Sequence, residues 1–202
     1  MNAAGCLQIL RQIREAAFAT VDEAGCPQVR IIDVMAAEEE KLYFLTARGK
    51  NFYRELMNTK SAAVTAMTDK CEMVRLNGRV ERLLEQKKWL GRMFKENPVM
   101  NELYPGESRF ILEPFCISCA QIEFYDLSSV PVFRESYSIG GYRRKEKGYR
   151  IGRECIFCGR CAVECPQQCI IAGEPYVIRR ENCLHCGLCF ENCPTGAILA
   201  LS

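Results

Sequence analysis

Apolar residues first recur at helical spacing. Cys6, Ile9, Leu10, Ile13 and Ala17 stand at i, i+3, i+4, i+7 and i+11, which predicts a helix over residues 5–16. The pattern then shortens. "FATV" (18–21) reads as a strand, "DEAGCP" (22–27) as a turn and "QVRIIDVM" (28–35) as a second strand. "AEEEK" turns the chain into "LYFLT" (42–46), and "GKNFYRELMNT" (49–59) is a helix entered after glycine. "SAAVTAM" (61–67) and "CEMVRLNGRVERL" (71–83) read as strands. "EQKKWLGRMFKEN" (85–97) is amphipathic, with Trp89/Met93 and Leu90/Phe94 as i, i+4 pairs, and Pro98 ends or kinks it. "RFILEPFCISCAQIEFYDL" (109–127) is one or two strands, with Pro114 expected to mark a bulge or break. Strands dominate, helices are few and no βαβ alternation exists. The expected fold is α+β, built on an antiparallel barrel.

The chain has 202 residues, enough for one large or two small domains, and 49% are apolar, enough for a core. A net charge of +2 argues against nucleic acid as a partner, because phosphate binding asks for a basic face. The start of the chain lacks the basic and continuously apolar regions of a signal peptide, and no run reaches ~18 uncharged apolar residues. A soluble cytoplasmic protein with no membrane partner is expected. No G-x-G-x-x-G follows a strand and no Walker motif is present; "SIGGYRR" (138–144) holds two glycines in a connecting segment.

The cysteines change the picture. There are fourteen, and nine lie between Cys155 and Cys193. A reducing cytosol disfavours disulfides. Zinc sites draw paired knuckles from separate segments. Here "ECIFCGRCAVECP" (154–166) and "NCLHCGLCFENCP" (182–194) each carry an unbroken C-x₂-C-x₂-C-x₃-C-P run. That is the spacing of bacterial [4Fe–4S] ligation, with three soft thiolates wrapping three corners of a cubane. The segment repeats at 28 residues. Cys155, Cys158, Cys161 and Cys165 fall on Cys183, Cys186, Cys189 and Cys193, Gly159 on Gly187, and Pro166 on Pro194.

Residues 149–202 thus resemble the bacterial two-cluster ferredoxin domain. In that family the fourth cysteine of each run crosses to the other cluster. The resemblance implies two [4Fe–4S] clusters, one on Cys155, Cys158, Cys161 and Cys193, the other on Cys183, Cys186, Cys189 and Cys165. Cys169, whose repeat mate is Ala197, reads as a small buried residue. His185, the one histidine, is the mate of Phe157 and reads as a loop filler able to tune a cluster. Cys116 and Cys119 form a C-x-x-C within a strand, where i and i+3 face opposite sides.

The order helix, "FAT-x-x-x-x-G-x-P-x-x-R", "LYF-x-T-x-x-x-K" over residues 1–127 resembles the pyridoxamine 5′-phosphate oxidase-like family of FMN-binding split barrels. The resemblance implies FMN at the interface of a homodimer. It implies a cofactor set of Arg30, Ile31, Ile32, Thr46, Ala47, Lys50, Asn51 and Arg75. Arg30 and Lys50 would neutralise the phosphate, aided by the N–H groups opening the 50–57 helix. Vitamin oxidation is not expected. Met73 stands where such enzymes place glutamine, Met35 where they place a substrate lysine, and their C-terminal substrate motif has no counterpart.

Residues 128–148 read as a linker between a 1–127 barrel and a 149–202 ferredoxin domain. Arg143, Arg144, Lys145, Lys147 and Arg150 form a basic cluster, a solvated linker or a docking patch for an acidic redox protein partner. The combined expectation is a flavin/iron–sulfur oxidoreductase with an unidentified small-molecule acceptor. Exposed clusters point to an anaerobic source. Two other readings are a ferredoxin-like carrier or redox sensor on a dimerising barrel, and an NAD(P)H-dependent flavin reductase.

Overall fold

The computed structural model describes residues 1–143 and 146–201. The chain forms two compact units. The first comprises residues 1–69, 73–124 and 136–143. The second comprises residues 70–72, 125–135 and the described residues from 146 onward.

In the first unit, α1 (Ala3–Ile13) opens on Asn2, whose side-chain oxygen accepts from the Gly5 amide at 2.8 Å. It buries Ala3, Cys6, Leu7 and Leu10. Strands β1 (Glu15–Val21), β2 (Pro27–Glu38) and β3 (Lys41–Ala47) follow, then α2 (Asn51–Thr59), β4 (Ser61–Met67) and β5 (Glu72–Arg82). Next come α3 (Gln86–Glu96), the single turn α4 (Met100–Leu103), β6 (Leu112–Asp126) and β7 (Phe133–Ile139). The sheet order is β3-β2-β1-β4-β5-β6-β7, and β3 also pairs with β6. That second pairing closes six strands into an antiparallel barrel.

Alternation decides which residues enter the barrel. Ala16, Phe18 and Thr20 of β1 point inward, as do Ala62 and Val64 of β4 and Val74, Leu76 and Val80 of β5. Phe44 anchors the core, 4.8 Å from the Phe18 ring and 5.6 Å from Phe115. A second apolar cluster lies under α3, where Leu90, Met93 and Phe94 pack with Met35, Tyr43 and Leu112. Asn97 ends α3 ahead of Pro98, its amide donating to the Met93 and Met35 carbonyls at 2.8 and 3.0 Å.

Two local expectations change. Pro114 does not interrupt β6. It pairs with Leu45, and its carbonyl accepts from the Leu83 amide at 2.9 Å. The register shift lies in β2 instead, between Val34 and Ala36. Residues 133–139 of the expected linker form β7.

The second unit contains β8 (Gly148–Ile151), α5 (Arg160–Glu164), β9 (Ile170–Ile171), β10 (Val177–Ile178), α6 (Leu188–Glu191) and β11 (Ile198–Leu201). β8 pairs with β11 and β9 with β10, both antiparallel. Its core holds as many sulfurs as branched chains can cover: Cys165, Cys169 and Cys183 lie among Ile151, Ile170, Ile178 and Ile198.

Candidate functional site

The 28-residue repeat is visible in the backbone of the second unit. Phe157 and His185, one residue before the middle cysteine of each run, both have φ 56°. Gly159 and Gly187, one residue after it, have φ 75° and 88° and open α5 and α6. Glycine is required there twice over. The left-handed backbone disfavours a side chain, and an added Cβ would stand 3.1 Å from the Tyr176 hydroxyl at Gly159 and 3.0 Å from the Tyr149 hydroxyl at Gly187.

These loops shape two recesses of similar size. Cys155, Cys158, Cys161 and Cys193 line one, with Tyr176. Cys165, Cys183, Cys186 and Cys189 line the other, with Tyr149. Each recess therefore takes three cysteines from one run and the fourth from the other. Among the described residues, no three Cys, His, Asp or Glu side chains converge as ligands of a single ion. Thiols spread around a space fit a cluster better than zinc.

Burial pushes the Cys189 thiol up to about 11, and raises Cys161 and Cys183 as well. Such thiols become thiolates when bound iron supplies the compensating charge. Cys193 is lowered. Burial opposes this, but the amides of Thr195, Ala197 and Ile198 donate to its sulfur, and the Thr195 hydroxyl lies 3.8 Å from it.

His185 is more than a filler. Its Nδ1 lies 2.7 Å from Arg134 Nη1, and the same Arg134 atom reaches the Cys183 carbonyl at 3.4 Å. A guanidinium only donates, so Nδ1 accepts and the imidazole proton sits on Nε2. The His185 amide in turn donates to Cys183 Sγ at 3.4 Å. Arg134 gives no sequence signal as a site residue, because the segment around it has no apolar alternation that would mark position 134 as buried. Of the basic cluster, Arg144 and Lys145 lie outside the described residues.

The barrel residues expected at a flavin are not all alike. Thr46 is buried in β3, and its Oγ1 is the buried side-chain oxygen left without a hydrogen-bond partner among the described residues. An orphaned buried hydroxyl costs ~1–3 kcal/mol. Ala47 follows it, buried, paired with Leu112. Lys50 is the N-cap of α2 and exposed, with no side-chain cap bond to the first-turn amides. Asn51 is exposed beside it and accepts from Arg54. These features fit a phosphate-bearing group at the start of α2.

Arg30 is placed differently. It points to the barrel interior, stacked 4.6 Å over the Phe52 ring, donating to Thr20 and, at 2.7 Å, to Glu55. Glu55 is almost fully buried and bonds Thr20 as well. The charge on Arg30 is therefore met by a carboxylate of the same chain. Sequence reading missed Glu55 because its partner lies 25 residues away; the available signal was a carboxylate on the same helix face as Phe52 and Leu56. Arg75 is exposed, 3.9 Å from Glu123. Ile32 is half-buried, whereas Ile31 is 63% exposed and Val29 72%. These two stand opposite Ala17 and Ala19 of β1, on the outer face.

Comparison with known proteins agrees with both halves. A family model described as pyridoxamine 5′-phosphate oxidase matches residues 5–105. One described as a 4Fe-4S dicluster domain matches residues 154–197. No curated protein matches the chain. Among solved structures, a NimC/NimA family protein of Clostridium acetobutylicum aligns with TM-score 0.59 at 17% identity, covering 68% of this chain and 92% of that one. A pyridoxamine 5′-phosphate oxidase-related, FMN-binding protein of Nostoc punctiforme aligns with TM-score 0.52 at 15% identity, covering 68% and 93%. A protein of the pyridoxinephosphate oxidase family from Clostridium acetobutylicum, related to general stress protein 26, gives 0.55 at 13%, covering 69% and 97%. At these identities the likeness is one of fold. No helix among the described residues is long and apolar enough to cross a membrane. A closed six-stranded barrel matched over half the sequence, followed by eight cysteines in two crossed sets, places this chain in the pyridoxamine 5′-phosphate oxidase family, with a 4Fe-4S dicluster domain at its C-terminal end.

Proposed function

We propose that the protein is a flavin/iron–sulfur oxidoreductase that moves electrons between two [4Fe–4S] clusters and FMN, and on to a small-molecule acceptor. The observation that carries the proposal is the division of the eight repeat cysteines, four to each of two recesses, in a chain whose barrel also holds an orphaned buried hydroxyl. When bound, the clusters exchange single electrons and the flavin exchanges one or two. The protein supplies the rest. Cys155, Cys158, Cys161 and Cys193 hold one cluster; Cys183, Cys186, Cys189 and Cys165 hold the other. Thr46 Oγ1 donates to the flavin, and Lys50 with the α2 amides meets its phosphate. The outer face of β1 and β2, with Val29 and Ile31 exposed, is covered by a second copy of the chain in a homodimer.

Protein purified without oxygen should carry about one FMN and about eight irons per chain, four for each cluster. Stopped-flow reduction should change clusters and flavin in sequence. Flavin that stays oxidised with both clusters reduced, at a potential where free FMN is reduced, would refute the reading.

One observation favours a second reading, a ferredoxin-like carrier or redox sensor on a barrel that uses no flavin. Arg30 is already neutralised by Glu55. Eight irons without FMN, even after FMN is added, would select it.

A further inference from the structure

The two recesses differ at one buried side chain. Each fourth cysteine is followed by the same turn. The Gln168 amide donates to the Cys165 carbonyl at 3.0 Å, and the Gly196 amide to the Cys193 carbonyl at 3.2 Å. Gln168 and Gly196 are both left-handed, with φ 49° and 65°. The turn returns the next residue against the fourth cysteine, where it is 2% exposed in both halves. In the first half of the repeat that residue is Cys169; in the second it is Ala197.

Cys169 is not simply a small apolar filler. Its Sγ lies 3.5 Å from Cys165 Sγ, and it lines the same recess as Cys165, Cys183, Cys186 and Cys189. It is held there by its backbone, since its carbonyl accepts from the Arg179 amide at 2.8 Å and β9 begins at the next residue. One recess thus offers five thiols and the other four. A tetrahedral iron corner takes one protein thiolate, so the fifth thiol is surplus to the cluster while Cys165 is bound.

We infer that Cys169 is a reserve ligand, able to take the iron corner of Cys165 when that sulfur is lost or modified. In the exchange the bond from iron to Cys165 sulfur breaks and one to Cys169 sulfur forms. The Cys169 thiol proton goes to solvent, and no electron moves. The inference rests on the two-cluster reading above, and the repeat supplies its own control, because Ala197 offers no substitute for Cys193.

The test compares iron per chain, and the spectrum of the reduced clusters by electron paramagnetic resonance, in anaerobically purified full-length variants. Cys165→Ala should keep the wild-type iron content with an altered spectrum for one cluster. Cys165→Ala/Cys169→Ala and Cys193→Ala should both lose iron, each from one recess. Cys193→Ala/Ala197→Cys should recover the iron that Cys193→Ala loses. Equal depletion in Cys165→Ala and Cys165→Ala/Cys169→Ala overturns the inference, as does failure of Ala197→Cys to restore Cys193→Ala. A wild-type chain without iron would instead sink the two-cluster reading itself.

Discussion

The barrel and the cysteine-rich unit hold themselves together by opposite means. The barrel closes on Phe44, whose ring packs against those of Phe18 and Phe115. The second unit has four short strands, the longest of four residues, and three of the seven residues in its buried cluster are cysteines. Apolar burial scales with area, and a domain this small buries too little to stand on that alone. The lesson is that one chain carries a self-sufficient scaffold next to a unit whose folding energy is ligand energy.

The hardest blow to that contrast is removal of iron. Chelation under reducing conditions should unfold the region 148–201 and leave the barrel folded. Hydrogen exchange checks it: protection lost in β8 to β11 with β1 to β6 unchanged agrees, and loss in both regions breaks the comparison. The reciprocal change is Phe44→Ala, which should cost the barrel about 3–5 kcal/mol in denaturant titrations while iron per folded chain is unchanged. A smaller and subtler effect is expected at Thr46. Thr46→Val removes the orphaned hydroxyl, so the flavin-free barrel should gain about 1 kcal/mol while FMN affinity falls. A loss of stability without flavin would mean that the hydroxyl is satisfied in solution.

The smallest effect belongs to a surface pair that pins α3 to β2. Hydrogen bonding to Arg92 holds the Glu38 carboxyl below its usual value of 4.5. A depressed folded value adds stability above the unfolded value and loses it as pH falls through the folded one. Both side chains are 37% exposed, so the amount is well under ~1 kcal/mol. Glu38→Gln should lower stability slightly at neutral pH, by that same small amount, and flatten the loss that the wild type shows below about pH 4.5.

What was legible in the sequence follows from range. The eight cysteines are local patterns with a ligand chemistry of their own, and their crossed sets line the two recesses. Helices and strands with a clean period were legible too; β4 spans the residues its alternation predicts. β7 was hidden because FRESYSI carries no apolar alternation, and its two buried residues, Arg134 and Ile139, fall at opposite parities. Pro114 pointed to a break that β6 does not make. The tie between Arg30 and Glu55 was invisible, since it joins a strand and a helix that only the closed barrel brings together. So was the 3.5 Å approach of Cys169 to Cys165, which depends on a left-handed glutamine no propensity would choose.

The interleaving of the two units along the chain bears on gene architecture. Residues 125–135 belong with the iron–sulfur unit, yet residues 136–143 return to the barrel. Arg134, which holds His185, and the Val132 carbonyl, which accepts from Asn182 at 3.0 Å, both lie upstream of that return. No single cut yields both units intact. A fragment starting at β8 would lose the arginine behind one cluster loop, and a barrel ending at β6 would lose its seventh strand. The ferredoxin part is thus less a cassette joined to a finished protein than a partner whose sequence has been threaded into its host, and recombination at one breakpoint would not pass both halves on whole.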